Sequence, residues 1–139
     1  MEINKIKEKI RDYFKKKREV AAVYLYGSFA RGEEKRESDI DLAVLFRNQK
    51  DDRLALRLEY TDDLEKILKK KVEIQDLNSC RVDFAYRVLE EGNLFYSANE
   101  QIRIKFEVNT MNVYFDFKPL FDEYYEVLSE QSLRGDFNA

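Results

Sequence analysis

Apolar residues along this chain recur with two different periods, and each change of period marks the boundary of an element. Ile3, Ile6, Ile10, Tyr13 and Phe14 fall on one stripe at helical spacing, which predicts an amphipathic helix from Ile3 to about Lys17. The basic run Lys15-Lys16-Lys17-Arg18 closes it and reads as a solvated helix end, where the dipole favours cations, ahead of a partner-binding patch. Val20 to Tyr26 (VAAVYLY) is almost continuously apolar, the mark of a strand buried on both faces. After a polar loop, Phe29 to Ser38, a second strand is predicted from Asp39 to Phe46 (DIDLAVLF). Helical spacing returns between Asp51 and Lys70 in Leu54, Leu58, Leu64, Ile67 and Leu68, with Asp51 or Asp52 as cap. Val72 to Leu77 alternates as a half-buried strand does.

Arg81 to Glu91 reads as a short helix stopped by Gly92, and Leu94-Phe95-Tyr96 as a short edge strand. From Asn99 to about Glu130 large apolar residues crowd the chain at a spacing that is helical overall, and Pro119 either begins a second helix there or kinks a long one. The tail from Gly135 is expected to fray. The prediction is an α+β chain: a small central mixed sheet flanked by helices.

The chemistry concentrates where the first two strands are joined. Gly27-Ser28 is followed, after ten intervening residues, by Asp39-Ile40-Asp41-Leu42. On a strand Asp39 and Asp41 point to one side and Ile40 and Leu42 to the other. Two carboxylates on one face repel unless a cation lies between them, and hard Mg²⁺ is held by one or two carboxylates with substrate phosphates completing its shell. A glycine turn lets backbone approach closely and can present N–H groups to phosphate oxygens. The two features together point to a metal-bound triphosphate between turn and strand. A lone Asp-x-Asp is usually a solvated pair and a lone Gly-Ser a turn, but all four positions at this spacing arise by accident in roughly one chain in several hundred of this length. On the third strand Glu73 has the phase to face the same cleft, whereas Asp76 should point to the opposite face.

Composition narrows the chemistry further. With 139 residues the chain is long enough for one domain with a true core, and its net charge of −3 gives no reason to expect a broad nucleic-acid-binding face. There is no histidine, which removes imidazole bases, histidine metal sites and Ser-His-Asp triads and leaves acid–base work to carboxylates, lysines or tyrosines. The single Cys80 rules out an internal disulfide, fits a reducing cytoplasm, and without a histidine to activate it reads as a buried bystander. No signal peptide and no membrane-spanning apolar run are visible.

Gly27-Ser28 with Asp39 and Asp41 resembles the G-S-x10-D-x-D signature of the nucleotidyltransferase superfamily that includes DNA polymerase beta and the kanamycin-type adenylyltransferases. The longer string GSFARGEEKRESDIDLAVLF is most similar to the minimal nucleotidyltransferases, the MntA-type antitoxins paired with HEPN ribonuclease toxins. That resemblance implies a single minimal nucleotidyltransferase domain over 1–139, with a core of about 1–97 and a C-terminal helical segment of about 98–131. It implies a Mg²⁺-dependent enzyme, with Asp39, Asp41 and Glu73 as catalytic and metal-binding acids and Gly27, Ser28 and Arg31 on the ATP phosphates; Lys35 or Arg36 could add charge there. Glu73 departs from the family pattern, in which aspartate is commoner, and its longer side chain changes its reach. The implied reaction is AMP transfer from ATP to a tyrosine of the HEPN toxin, in a hetero-oligomer with it. Small-molecule transfer beside a helical subunit, and non-catalytic neutralisation of the toxin, are the alternatives. Tyr114, Phe117, Tyr124 and Tyr125 could form the toxin interface, although core packing is expected for most of them.

Overall fold

A computed structural model describes residues 3–32, 39–48 and 52–134. The elements run α1 (Ile3–Lys15), β1 (Val20–Tyr26), α2 (Ser28–Arg31), β2 (Ile40–Phe46), α3 (Arg53–Leu68), β3 (Val72–Asp76), α4 (Val82–Glu91), β4 (Asn93–Ser97) and α5 (Glu100–Arg134). The four strands form one sheet in the order β3-β2-β1-β4. β1 is antiparallel to both β2 and β4, and β2 is parallel to β3, so the sheet is mixed as expected.

Both faces of the sheet are covered, which is why β1 and β2 are apolar almost throughout. On one face Ile6, Ile10 and Phe14 of α1 and Tyr60, Leu64 and Leu68 of α3 pack on Val23, Leu25, Leu42, Val44 and Ile74. On the other, Ala85 and Val88 of α4 meet Tyr24, Ala43, Leu45 and Leu77, with Ile102 and Phe106 of α5 beside them. Small residues on that second face let the helices come close. Lys17, expected at a solvated helix end, instead lies over the rings of Tyr13 and Tyr60, 5.0 and 5.8 Å from their centroids, and 3.8 Å from Glu59.

α3 caps as its sequence says, Asp52 accepting the backbone N–H of Ala55 at 3.2 Å. Its buried stripe is the expected one only in part: Leu64 and Leu68 are buried, but Leu54, Leu58 and Ile67 are not. Leu54 and Leu58 are each 64% exposed, and Tyr60, Leu64 and Leu68 face the core. Apolar residues sit on nearly every side of this helix, so periodicity alone could not choose its inner face. The same helix closes the outer edge of β3: Arg57 donates to the Ile74 carbonyl at 2.8 Å, and Glu65 accepts the Val72 N–H at 3.0 Å. An edge strand is thereby kept from pairing with another chain.

Gly92 ends α4 through its N–H to the Val88 carbonyl at 2.8 Å, in extended rather than left-handed backbone. The glycine is needed for room, because a Cβ would stand 2.5 Å from the Val88 oxygen and 2.9 Å from that of Leu25. Past β4 the chain forms one helix of 35 residues that runs through Pro119. The polar stretch expected as a loop from Phe29 to Ser38 begins inside the short helix Ser28–Arg31, and residues 33–38 lie outside the described residues.

Candidate active site

Strand pairing assembles the site from three separate stretches of sequence. The antiparallel pairing of β1 with β2 sets Tyr26 opposite Asp41, so the end of one strand and the start of the next lie side by side. The parallel pairing of β2 with β3 sets Asp41 opposite Glu73. Residues in register share a face. Tyr26, Asp41 and Glu73 therefore form a row across three strands, on the face that carries α4 and α5. Asp39 stands one residue before β2 and is exposed; next to it the Ile40 N–H still bonds the Lys71 carbonyl at 2.9 Å, so the chain is already docked beside β3 there.

Gly27 turns the chain out of β1 with φ 73° and ψ −153°, a conformation open to glycine and strained for any other residue. It also lies against the first acid of the row: a Cβ here would collide with the Asp41 carboxylate, with Asp41 Cγ at 3.1 Å. Gly27 thus serves both conformation and proximity. Ser28 follows as the first residue of α2, partly exposed, and Asn93 of β4 pins this short helix by donating to the Ala30 carbonyl at 3.2 Å. Arg31 closes α2, but its side chain lies outside the described residues, as do Lys35 and Arg36.

Glu73 is exposed and accepts from the Gln75 amide at 3.1 Å. Asp76 points to the opposite face, as its phase demands. It is 5% exposed and takes the Arg53 Nε–H at 2.6 Å, the Ser79 hydroxyl at 2.9 Å and the Asn78 backbone N–H at 2.8 Å. That carboxylate ties α3 to the end of β3 and is fully committed.

Among the described residues no three Asp, Glu or Cys side chains converge closely enough to hold a metal ion unaided. The donor chemistry nonetheless suits Mg²⁺, for Asp39 and Asp41 offer hard oxygens at the N-terminal end of β2 and such ions commonly draw their remaining ligands from substrate phosphates and water.

Tyr26 is the site neighbour that reading the sequence missed. It is half-buried, its ring meets Phe84 edge-on at 5.6 Å, and burial first, then the charges of Asp41 and Glu73, push its hydroxyl well above the usual phenol range. The phenol stays protonated beside the acids. A usable signal existed, because the last residue of β1 must face the start of β2 whenever the two strands pair antiparallel. Cys80 is partly buried and burial, with Asp76 nearby, pushes its thiol up to about 11, which fits the bystander expected. Of the C-terminal aromatics, Tyr114 packs, stacking on Tyr86 at 3.8 Å between centroids. Phe117, Tyr124 and Tyr125 do not join the core: they are 48%, 52% and 43% exposed.

Comparison with known proteins gives the family and the fold. Residues 8–101 match the model of the family described as polymerase beta, nucleotidyltransferase. The protein adenylyltransferase MntA of Shewanella oneidensis is 31% identical over 111 residues, covering 80% of this chain and 76% of its own. A crystal structure of a toxin–antitoxin with AMP-PNP superposes with a TM-score of 0.69 at 24% identity, over 86% of this chain and 98% of that one. A structure of tri-AMPylated Shewanella oneidensis HEPN toxin in complex with MNT antitoxin gives 0.65 at 22% identity, over 88% and 98%. At such identities the structures speak for the fold, while the family match spans most of the chain and contains every element that builds the acid row. This chain belongs to the polymerase beta nucleotidyltransferase family.

Proposed function

We propose that the chain is a protein adenylyltransferase that moves AMP from ATP to a tyrosine hydroxyl of a partner HEPN ribonuclease, and so acts as its antitoxin. The observation that carries this reading is the contact of the Gly27 backbone with Asp41, in a row that Glu73 extends. Phosphate-gripping turn and metal-holding strand then belong to one site. The Shewanella relative named for the same activity supports it.

In the reaction the tyrosine oxygen attacks the alpha-phosphorus of ATP, the bond to the beta-phosphate oxygen breaks, pyrophosphate leaves, and the phenolic proton passes to base or solvent. Asp39 and Asp41 would hold Mg²⁺, with Glu73 as a further acid ligand; the metal would supply neutralisation of phosphate charge and easier ionisation of the attacking hydroxyl. Ser28 and the backbone at Gly27 hold the beta and gamma phosphates, and Arg31 adds positive charge near the leaving pyrophosphate. Glu73 need not be a strong base. A phenol ionises near pH 10 unperturbed, far more readily than an aliphatic alcohol, so an acceptor tyrosine suits a site with no histidine. Tyr26, kept neutral by burial and then by its acidic neighbours, walls the site.

The whole chain acts as one nucleotidyltransferase unit, its core at about 1–97 and the helical segment of about 98–131 added to it, working in the cytoplasm. The test is to incubate it with ATP labelled at the alpha-phosphate, Mg²⁺ and a purified HEPN ribonuclease from the same genome. Label on a tyrosine of that protein, lost with EDTA, is the expected result. Label on a small molecule would overturn the acceptor, and full neutralisation by the Asp39→Asn, Asp41→Asn variant would overturn the catalytic account.

A further inference from the structure

The second half of α5 presents apolar side chains that this chain leaves uncovered. Phe117, Leu120, Tyr124 and Val127 are 48%, 60%, 52% and 46% exposed, and they recur at intervals of three, four and three residues. That is the seam of a helix that packs lengthwise on another helix. One heptad earlier the same seam holds Thr110 and Val113, which line a cavity of about 540 Å³ between α5 and the ends of β2 and β3, with Leu45, Leu77 and Phe106 as its floor and walls. The stripe and the cavity are therefore continuous. The cavity opens at the far end of β2 from Asp39 and Asp41, so it is no part of the acid row.

The two flanks of the seam differ. On one, Tyr114 stacks on Tyr86 and Tyr125 donates to Asp83 at 2.8 Å, so α4 already occupies it. The open flank carries an acid in each of three successive heptads: Asp116, Glu123 and Glu130. A second copy of this chain is a poor occupant, because with α4 blocking one side of each helix only the acid-bearing flanks could meet, and they would repel. A helix whose own flank is basic fits. A ribonuclease must bind a polyanion and carries basic surface to do so.

We propose that the α5 seam and its adjoining cavity dock an amphipathic, basic-flanked helix of the partner ribonuclease, with one or two large apolar side chains anchored in the cavity. The identity of the occupant rests on the function proposed above. Docking here holds the partner by a surface separate from the catalytic edge and leaves its acceptor tyrosine to be presented to the ATP site.

The test uses the full chain and a purified HEPN ribonuclease from the same genome. Phe117→Ser, Leu120→Ser and Tyr124→Ser together should weaken their binding by calorimetry more than about tenfold. The triple variant should raise the KM for the partner in AMP transfer, leave kcat within about twofold, and melt where the parent does, since the replaced side chains lie outside the core. Asp116→Lys with Glu123→Lys should weaken binding too and flatten its dependence on salt. Unchanged affinity and KM in both variants would overturn the proposal while leaving AMP transfer standing. Sedimentation of the parent as a dimer that the triple variant dissociates would also overturn it, giving the seam to a second copy. Binding of the partner without label transfer, lost in the triple variant, would keep the docking surface and sink the catalytic reading.

Discussion

Gly27 does two jobs that no other residue can combine. Its positive φ excludes most side chains, and the Asp41 carboxylate occupies the space a Cβ would need. Gly27→Ala must therefore strain the turn and displace Asp41 together. We expect AMP transfer to fall at least about a hundredfold, with a loss of about 1–3 kcal/mol in urea unfolding from the strained backbone. Asp41→Asn separates the two effects. It removes the charge proposed to bind metal without adding volume, so transfer should again drop by about a hundredfold or more while the melting temperature hardly moves. A variant with transfer near the parent's rate would remove Asp41 from the metal site. Both acids of the Asp-x-Asp and the glycine are plain in the sequence. Tyr26 is not, because its place beside them comes from β1 pairing antiparallel with β2.

At the level of elements, α3 and β3 are fastened by one buried ion pair. Asp76, 5% exposed, accepts three hydrogen bonds, and Asp76→Ala would leave Arg53, its side chain 19% exposed, facing that vacancy. Breaking such a pair from one side costs about 3–5 kcal/mol, a loss that denaturant titration should register without any change in the acid row. The other end of α3 offers the opposite experiment. Lys69 caps it at φ 54°, in left-handed backbone, with its N–H on the Glu65 carbonyl. Lys69→Gly relieves that conformation and should stabilise the chain by about 0.5–1 kcal/mol; a destabilised variant would mean that the lysine side chain contributes more than its backbone strain costs. The helical spacing that runs out at Lys70 marks a helix end, but nothing in it distinguishes a left-handed cap from ordinary fraying.

Across the whole molecule, buried phenols and one thiol set the alkaline limit of the fold. Tyr13, Tyr24 and Tyr60 are pushed upward by burial first and then by the carboxylates they donate to, Asp63, Glu107 and Glu19, while the Cys80 thiol moves from 9.0 to about 11. Each is neutral in the fold and ionises more readily unfolded, so the stability it lends is complete below its unfolded value and drains away as pH climbs toward the folded one. The melting temperature should hold steady to about pH 9 and fall above it, and Cys80→Ala should lessen the fall between about 9 and about 11. A melting temperature that rises over that interval would contradict the burial of these groups. Read on its own, the amino-acid order fixes the elements other than the short α2 and the unbroken run of α5, together with the Gly-Ser and Asp-x-Asp motif, the phase that separates Glu73 from Asp76, and the absence of histidine chemistry, because periodicity and residue type are local properties. Strand pairing decides that Tyr26, Asp41 and Glu73 form a row, the available neighbours decide which face of α3 is buried, and the reach of the sheet decides that α5 outruns it with Phe117 and Tyr124 uncovered. These are matters of which distant surfaces meet, and burial depends on the partner surface as much as on the side chain itself.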